Sequence, residues 1–376
     1  IFLWLADHTS GYPEYFDRYS KQYLTMLCLF AGGLIAMSAL FVYSIKNGTP
    51  ILLRKFPSLV LLTLFSLLIS LLALEIAVRA LDLFGASFYR EITRYILDLE
   101  AHPQLVYHHQ RDFEATYQDV RVSFNSLRLR DAAVQDKFDD EYRILFLGDS
   151  VTFGWGVQEK DVFASLLEKD LTRSTGRRVT AINTGVCGYN TRQELEYLIG
   201  AGLDLSPDHL VLVYVDNDID PEPLNIEEMR RQWDAPDGIH GLFLRFSWVY
   251  RIYHHLAPYL LGQKLNEFDP ADMQASFDAL DRTAQVAYER GIPLTVAFFR
   301  LTGSDRGRIL DAALRESADR NGFVYLDLLS DFKGRDIRML TNSVIDIHPN
   351  SAGHRVITER LRAPILAAMA ARDGGP

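Results

Sequence analysis

The sequence predicts an α/β fold: a three-layer α/β/α sandwich on a parallel five-stranded sheet, preceded by two transmembrane helices. Three observations carry this. From residue 142 onward, short apolar runs alternate with longer helical stretches. Strands alternating with helices imply βαβ units and a parallel sheet covered on both faces, and right-handed crossovers complete the three layers. Upstream, residues 22–45 and 56–74 carry no charge, and each is near or above the ~20 residues a helix needs to cross a bilayer. The length of 376 residues leaves room for one large or two ordinary domains.

Residues 1–80 read as a membrane region, with transmembrane helices at about 22–45 and 56–78. Neither stretch has a polar face, which sets them apart from amphipathic core helices. Two long runs also fit a cleavable signal peptide poorly. Ile1–Ala6 reads as the tail of an earlier span. The connector between the two runs holds Lys46, Arg54 and Lys55 and no acid, which places it on the cytoplasmic side. The expected location is therefore the cytoplasmic (inner) membrane, multi-pass, with everything after residue 80 extracytoplasmic, periplasmic in a two-membrane cell. Glu75 and Arg79 are spaced to pair along one helix face.

Residues 81–141 form an extracytoplasmic lead-in with short β-like runs such as Val120–Phe124. The neighbouring His108 and His109 lack a nearby acid–histidine pattern and are expected at the surface rather than on a metal. Asn125–Asp131 reads as a turn leading into the first sheet strand. The sheet domain spans 142–372. Its strands are expected at 143–147, 179–183, 209–215, 292–298 and 323–327, and its helices at 161–174, 191–202, 272–290, 307–321 and 351–371. An insertion at about 219–270 breaks the rhythm. It is rich in aromatics, among them Phe243, Phe246, Trp248, Tyr250, Tyr253 and Tyr259. A lid, a membrane-contacting flap, an acyl-binding wall and a plain packing insertion all fit it.

Composition narrows the function. The net charge is −10, so no nucleic-acid partner is expected, because such proteins carry a basic face. The two cysteines, Cys28 and Cys187, lie far apart in unlike surroundings, so no disulfide framework is indicated. Hydrophobic residues make up 48% of the chain, and the excess sits in the N-terminal runs, which makes the bilayer an expected partner.

Four loops of the sheet domain hold polar residues suited to one reaction. Gly148-Asp149-Ser150 directly follows the apolar run Ile144–Leu147, and ligands of open α/β sheets bind beyond the carboxyl ends of the strands. The second loop, Asn183–Asn190, contains Gly188; the third is Asp216-Asn217-Asp218; the fourth runs from Asp346 through His348 to His354. Serine is a poor nucleophile until a base takes its proton. His348 is placed to do so, with Asp346 fixing its tautomer. The oxyanion of the tetrahedral intermediate needs donors; the candidates are the N–H groups of Ser150 and Gly188 and the side-chain amide of Asn217. Asp149 is expected to brace its loop, His354 to be structural at the helix start, and Cys187 to pack.

These residues resemble the four blocks of the SGNH/GDSL hydrolases, over roughly residues 142–370. The match is most specific in Gly148–Gly156 and His348-Pro349-Asn350. The resemblance implies a flavodoxin-like sandwich and hydrolysis or transfer of an ester-linked acyl group without metal or cofactor. It makes Ser150 the nucleophile, His348 the base, Asp346 its acid, and Gly188 and Asn217 oxyanion donors. Val215 stands where the family usually has a glycine, and the acid lies two rather than three residues before the histidine. The membrane runs and lead-in look like membrane-anchored bacterial members found near envelope polysaccharide systems. The expected function is a membrane-anchored serine esterase that removes acyl, including O-acetyl, groups from glycans or lipids. An O-acyltransferase using the same serine and a non-catalytic glycan-binding or assembly subunit stand as alternatives. The expected partners are an acylated carbohydrate or lipid substrate and polysaccharide-assembly proteins.

Overall fold

A computed structural model of the chain describes residues 32, 43, 56–233, 238–260, 269–301 and 304–373. Of the first expected span, 22–45, only Gly32 and Tyr43 are among them, both helical. The chain divides into two compact units, 1–89 with 235–261, and 90–234 with 262–376.

The first unit is built on the helix Phe56–Leu81. At a rise of 1.5 Å per residue it is about 39 Å long, enough for a hydrocarbon core. Among the described residues it is the one helix long and apolar enough to cross a membrane, over Thr63–Leu81. Leu64, Leu67, Leu68, Leu71 and Leu74 lie exposed along it. Near its C-terminal end Arg79 donates to Glu75 at 2.8 Å, as their spacing predicts. That pair organises the aromatic stretch of the insertion. Glu75 accepts the backbone N–H groups of Trp248 and Val249 at the start of the helix Trp248–Leu260. Arg79 donates to the carbonyl of Phe246 at the end of the helix Ile239–Phe246. An acid at a helix N-terminus and a cation at a C-terminus both oppose the helix dipoles.

The second unit holds the sheet. Two antiparallel hairpins come first: β1 (Glu100–His102) with β2 (Val106–His108), and β3 (Phe113–Tyr117) with β4 (Val120–Phe124). Then come the parallel strands β5 (Glu141–Gly148), β6 (Arg178–Asn183), β7 (His209–Tyr214), β8 (Leu294–Phe298) and β9 (Val324–Asp327). Their order is β6-β5-β7-β8-β9, all parallel. The strands expected from the sequence are these five. β5 and β7 are buried along their whole length, which is why they read as continuous apolar runs. The expected helix 191–202 ends as an α-helix at Tyr197 and continues as a wider turn over Leu198–Gly202; the other expected helices keep their places.

This order places the site. β5 lies between β6 and β7: the chain leaves it toward β6 and the next connection returns past it to β7, so the two crossovers run in opposite directions. The crevice at such a switch point, beyond the carboxyl ends of the strands, is where doubly wound sheets bind ligands. Ser150 follows β5 and Asn217 follows β7, one on each side of it.

Candidate active site

β5 delivers the chain into a single helical turn, Ser150–Phe153. Asp149 caps it, accepting the N–H of Val151 at 2.9 Å. Ser150 is the first residue of that turn, so the turn itself does not consume its N–H. The strand behind is rigid and buried, and Ser150 is 9% exposed. From below, Arg130 pins the loop. Its guanidinium donates to the carbonyls of Phe153, Gly154 and Val157 at 2.8, 2.7 and 2.5 Å and lies over the Phe153 ring. Burial pushes its pKa down to about 10, which leaves it cationic at neutral pH.

The candidate base, His348, arrives from the segment before the C-terminal helix Ser351–Asp373. His348 Nε2 lies 2.8 Å from Ser150 Oγ, and His348 Nδ1 lies 2.5 Å from Asp346 Oδ1. Asp346 is buried, and its Oδ2 accepts the side-chain amides of Gln118 at 2.6 Å and Asn342 at 3.1 Å. Burial alone would raise the Asp346 pKa; the charge and hydrogen bonds of His348, with the Gln118 amide, hold it below the ordinary value. For His348 the signs reverse. Burial favours the neutral ring, but Asp346, joined by Asp149, outweighs it and lifts the imidazole above the ordinary histidine range. A proton on Nδ1 leaves Nε2 as the acceptor for the Ser150 hydroxyl. That hydroxyl also lies 3.1 Å from Asp149 Oδ2.

Two loops complete the rim. Asn217 gives one amide N–H to Asp149 Oδ2 at 3.3 Å, which leaves its second N–H for an incoming oxygen. Asp218, fully buried, folds the loop by accepting the N–H of Val215; burial and the neighbouring Glu194 push its carboxyl well up. Gly188 is exposed with φ +80°, and its loop is tied to the end of β5 by the Val186 N–H on the Gly148 carbonyl at 3.3 Å. A Cβ there would stand 3.1 Å from the Tyr107 hydroxyl and 3.5 Å from the Met229 methyl. The structure thus brings Ser150, His348 and Asp346 into one hydrogen-bonded line, with Asn217 joined to it through Asp149.

A family profile described as GDSL-like Lipase/Acylhydrolase matches residues 146–356, more than half of the chain. The chain belongs to the GDSL-like lipase/acylhydrolase family. No curated protein matches it. Among solved structures it is similar to TesA, at 15% identity and a TM-score of 0.42, covering 60% of this chain and 99% of TesA. A second is the acetyl xylan esterase AlAXEase, at 16% and 0.39, covering 59% and 99%. A third is the lipase/acylhydrolase from Enterococcus faecalis, at 16% and 0.40, covering 60% and 95%.

In this GDSL-like chain the lead-in reaches the site, which the sequence did not signal. Tyr95 and Tyr107 grip the Gly188 loop: the Cys187 N–H donates to the Tyr95 hydroxyl at 3.1 Å, and the Tyr107 hydroxyl donates to the Cys187 carbonyl at 3.4 Å. Tyr95 in turn meets His109 Nε2 at 2.7 Å, and His109 Nδ1 meets the Arg128 carbonyl at 3.0 Å. A carbonyl only accepts, so Nδ1 carries the proton and Nε2 accepts from Tyr95. The expectation that His108 and His109 lie at the surface is therefore corrected: both are buried, and burial drives both rings toward the neutral form. His354 is structural, as expected; it stacks on Phe163 and accepts that residue's N–H. The buried Cys187 thiol is pushed well up by burial, so it holds its proton. Among the described residues no group of three or more histidine, cysteine or acidic side chains is arranged to hold a metal ion.

Proposed function

We propose that this chain is a membrane-anchored, extracytoplasmic serine esterase that removes acyl groups, O-acetyl among them, from glycans or lipids through an acyl-enzyme. The observation that carries the reading is the line Asp346–His348–Ser150 at hydrogen-bond distances. In this mechanism His348 Nε2 takes the hydroxyl proton as Ser150 Oγ attacks the acyl carbon. The carbonyl oxygen becomes an oxyanion and meets the N–H groups of Ser150 and Gly188 and the free N–H of Asn217. The intermediate collapses, the alcohol leaves with the proton from His348, and water repeats the sequence to release the acid. Asp346 stays ionised throughout and steadies the imidazolium.

Two features support membrane placement. One is the apolar helix Thr63–Leu81. The other is the exposed set Ile239, Leu242, Phe243 and Phe246, whose spacing forms one stripe on a helix held against that span. Such a stripe suits the headgroup boundary of a bilayer.

The test is labelling of the full chain in detergent with a fluorophosphonate probe, together with p-nitrophenyl acetate turnover. Both are expected in the wild type and absent in Ser150→Ala; turnover that survives the substitution removes the serine mechanism. Adding an oligosaccharide acceptor and following its mass reads acyl transfer to a sugar hydroxyl from the same acyl-enzyme.

A further inference from the structure

Tyr117 pairs with Val120, so β3 and β4 are joined by a turn of only Gln118 and Asp119. Both are left-handed, with φ +50° and +61°. That is the hairpin turn asparagine and glycine occupy with little strain. A long unbranched side chain at its first position holds the backbone where L-residues are disfavoured. The strain needs a reason, and the side chain supplies one. Gln118 Nε2 donates to Asp346 Oδ2 at 2.6 Å across 228 residues of sequence. The amide orientation follows from chemistry, because a carboxylate oxygen only accepts.

A second amide meets the same oxygen. Asn342 Nδ2 lies 3.1 Å from Asp346 Oδ2 and 3.0 Å from the Trp155 carbonyl. Both amides close over Gly156, whose φ is +74°. A Cβ there would stand 2.3 Å from Asn342 Nδ2 and 2.8 Å from Gln118 Oε1. Three separate segments are shaped around one carboxylate oxygen, while the other oxygen of Asp346 faces His348.

We propose that Gln118 is a positioning residue for the serine reaction. It fixes the rotation of the Asp346 carboxyl, and through it the imidazole that faces Ser150. This rests on the serine-esterase reading above. The titratable groups around this contact are Asp346, His348 and Asp149, with neutral His354 behind and Glu91 accepting the Gln118 backbone N–H.

Two variants of the full chain test it. Gln118→Gly removes the amide and relieves the turn strain. A residue serving the turn alone would leave this variant at wild-type activity. The expected result is an unchanged or higher melting temperature, fluorophosphonate labelling of Ser150 slowed roughly 10- to 100-fold, and kcat lowered with KM unchanged. Gln118→Met keeps the side-chain length and the turn strain and removes only the donor, so it should slow labelling by a similar factor with KM unchanged. Gln118→Gly or Gln118→Met labelled at the wild-type rate overturns the proposal. Should Gln118→Gly fail to fold, Gln118→Met decides. A wild-type chain that resists the probe overturns the serine reading instead.

Discussion

Arg130 offers the sharpest test of how the nucleophile loop is held. Its guanidinium is buried, and its hydrogen bonds go to three backbone carbonyls, of Phe153, Gly154 and Val157. Arg130→Met keeps the apolar stem and removes all the donors. Hydrogen bonds from a charged donor are worth about 1.5–3 kcal/mol each, but they share one group and are not additive. Removing the guanidinium also removes the cost of burying its charge. Against this, the Phe153 and Val157 carbonyls lose this donor beneath a packed loop, while the Gly154 carbonyl keeps only the Val157 N–H. A buried acceptor left unsatisfied costs about 1–3 kcal/mol, so with the relief of the buried charge set against two of them the net loss should be about 3 kcal/mol. At 2–4 °C per kcal/mol for a domain of this size, that is a fall of about 10 °C in melting temperature. Tryptophan fluorescence of the detergent-solubilised chain reads it, because Trp155 sits on this loop. Arg130→Lys, with one compact ammonium, should fall between. If Arg130→Met melted within about 2 °C of the wild type, a shift below 1 kcal/mol, the loop would be held by its own turn and capping instead.

Two further outcomes follow. The base must be neutral to act, and Asp346 lifts His348 above the ordinary histidine value of 6.5, so kcat/KM should rise with pH through a limb above that value. Asp346→Asn removes the lifting charge; it should move the limb down and lower kcat roughly 10⁴-fold, and a wild-type limb at or below 6.5 would contradict the ion pair. Asp131, whose carboxyl burial pushes up to about 7, ordinarily titrates near 3.8. The folded chain therefore holds a proton the unfolded chain has lost, and stability drains away as pH rises between those values. Asp131→Asn should raise the melting temperature at pH 8 and change it little near pH 4; equal shifts at both would dismiss the linkage.

The parts of this molecule legible in the sequence share one property: their signal is local. β5 and β7 are buried on both faces, so burial is written in consecutive apolar residues. Ser150, Asn217 and His348 stand at fixed steps from strand ends or a helix start, so their order along the chain carries their convergence. The Glu75–Arg79 pair was legible because one helical turn sets its distance. Its second role was not, since the helices it caps lie more than 160 residues away.

The supports of the site fail to show for the same reason. A histidine pair without a local partner reads as solvated, yet His109 finds one partner in Tyr95, 14 residues before it, and another in the Arg128 carbonyl, 19 residues after it. Once both ring nitrogens are satisfied, burial no longer costs a bare polar group. Gly156 was legible as a turn, but the two amides that need its empty side come from residues 118 and 342. Gln118 left one local trace: two alternating runs separated by two residues, neither of them glycine. The candidate site residues are therefore marked by short motifs, while contacts from the lead-in hold them: Arg130 under the Ser150 loop, Tyr95 and Tyr107 on the Gly188 loop, and Gln118 on Asp346. Each candidate loop after β5 and β6, and Asp346 behind His348, leans on a residue that precedes the sheet. The lead-in is thus part of the candidate site's structure, and substitutions there should be read first as changes in how Ser150, Gly188 and Asp346 are held.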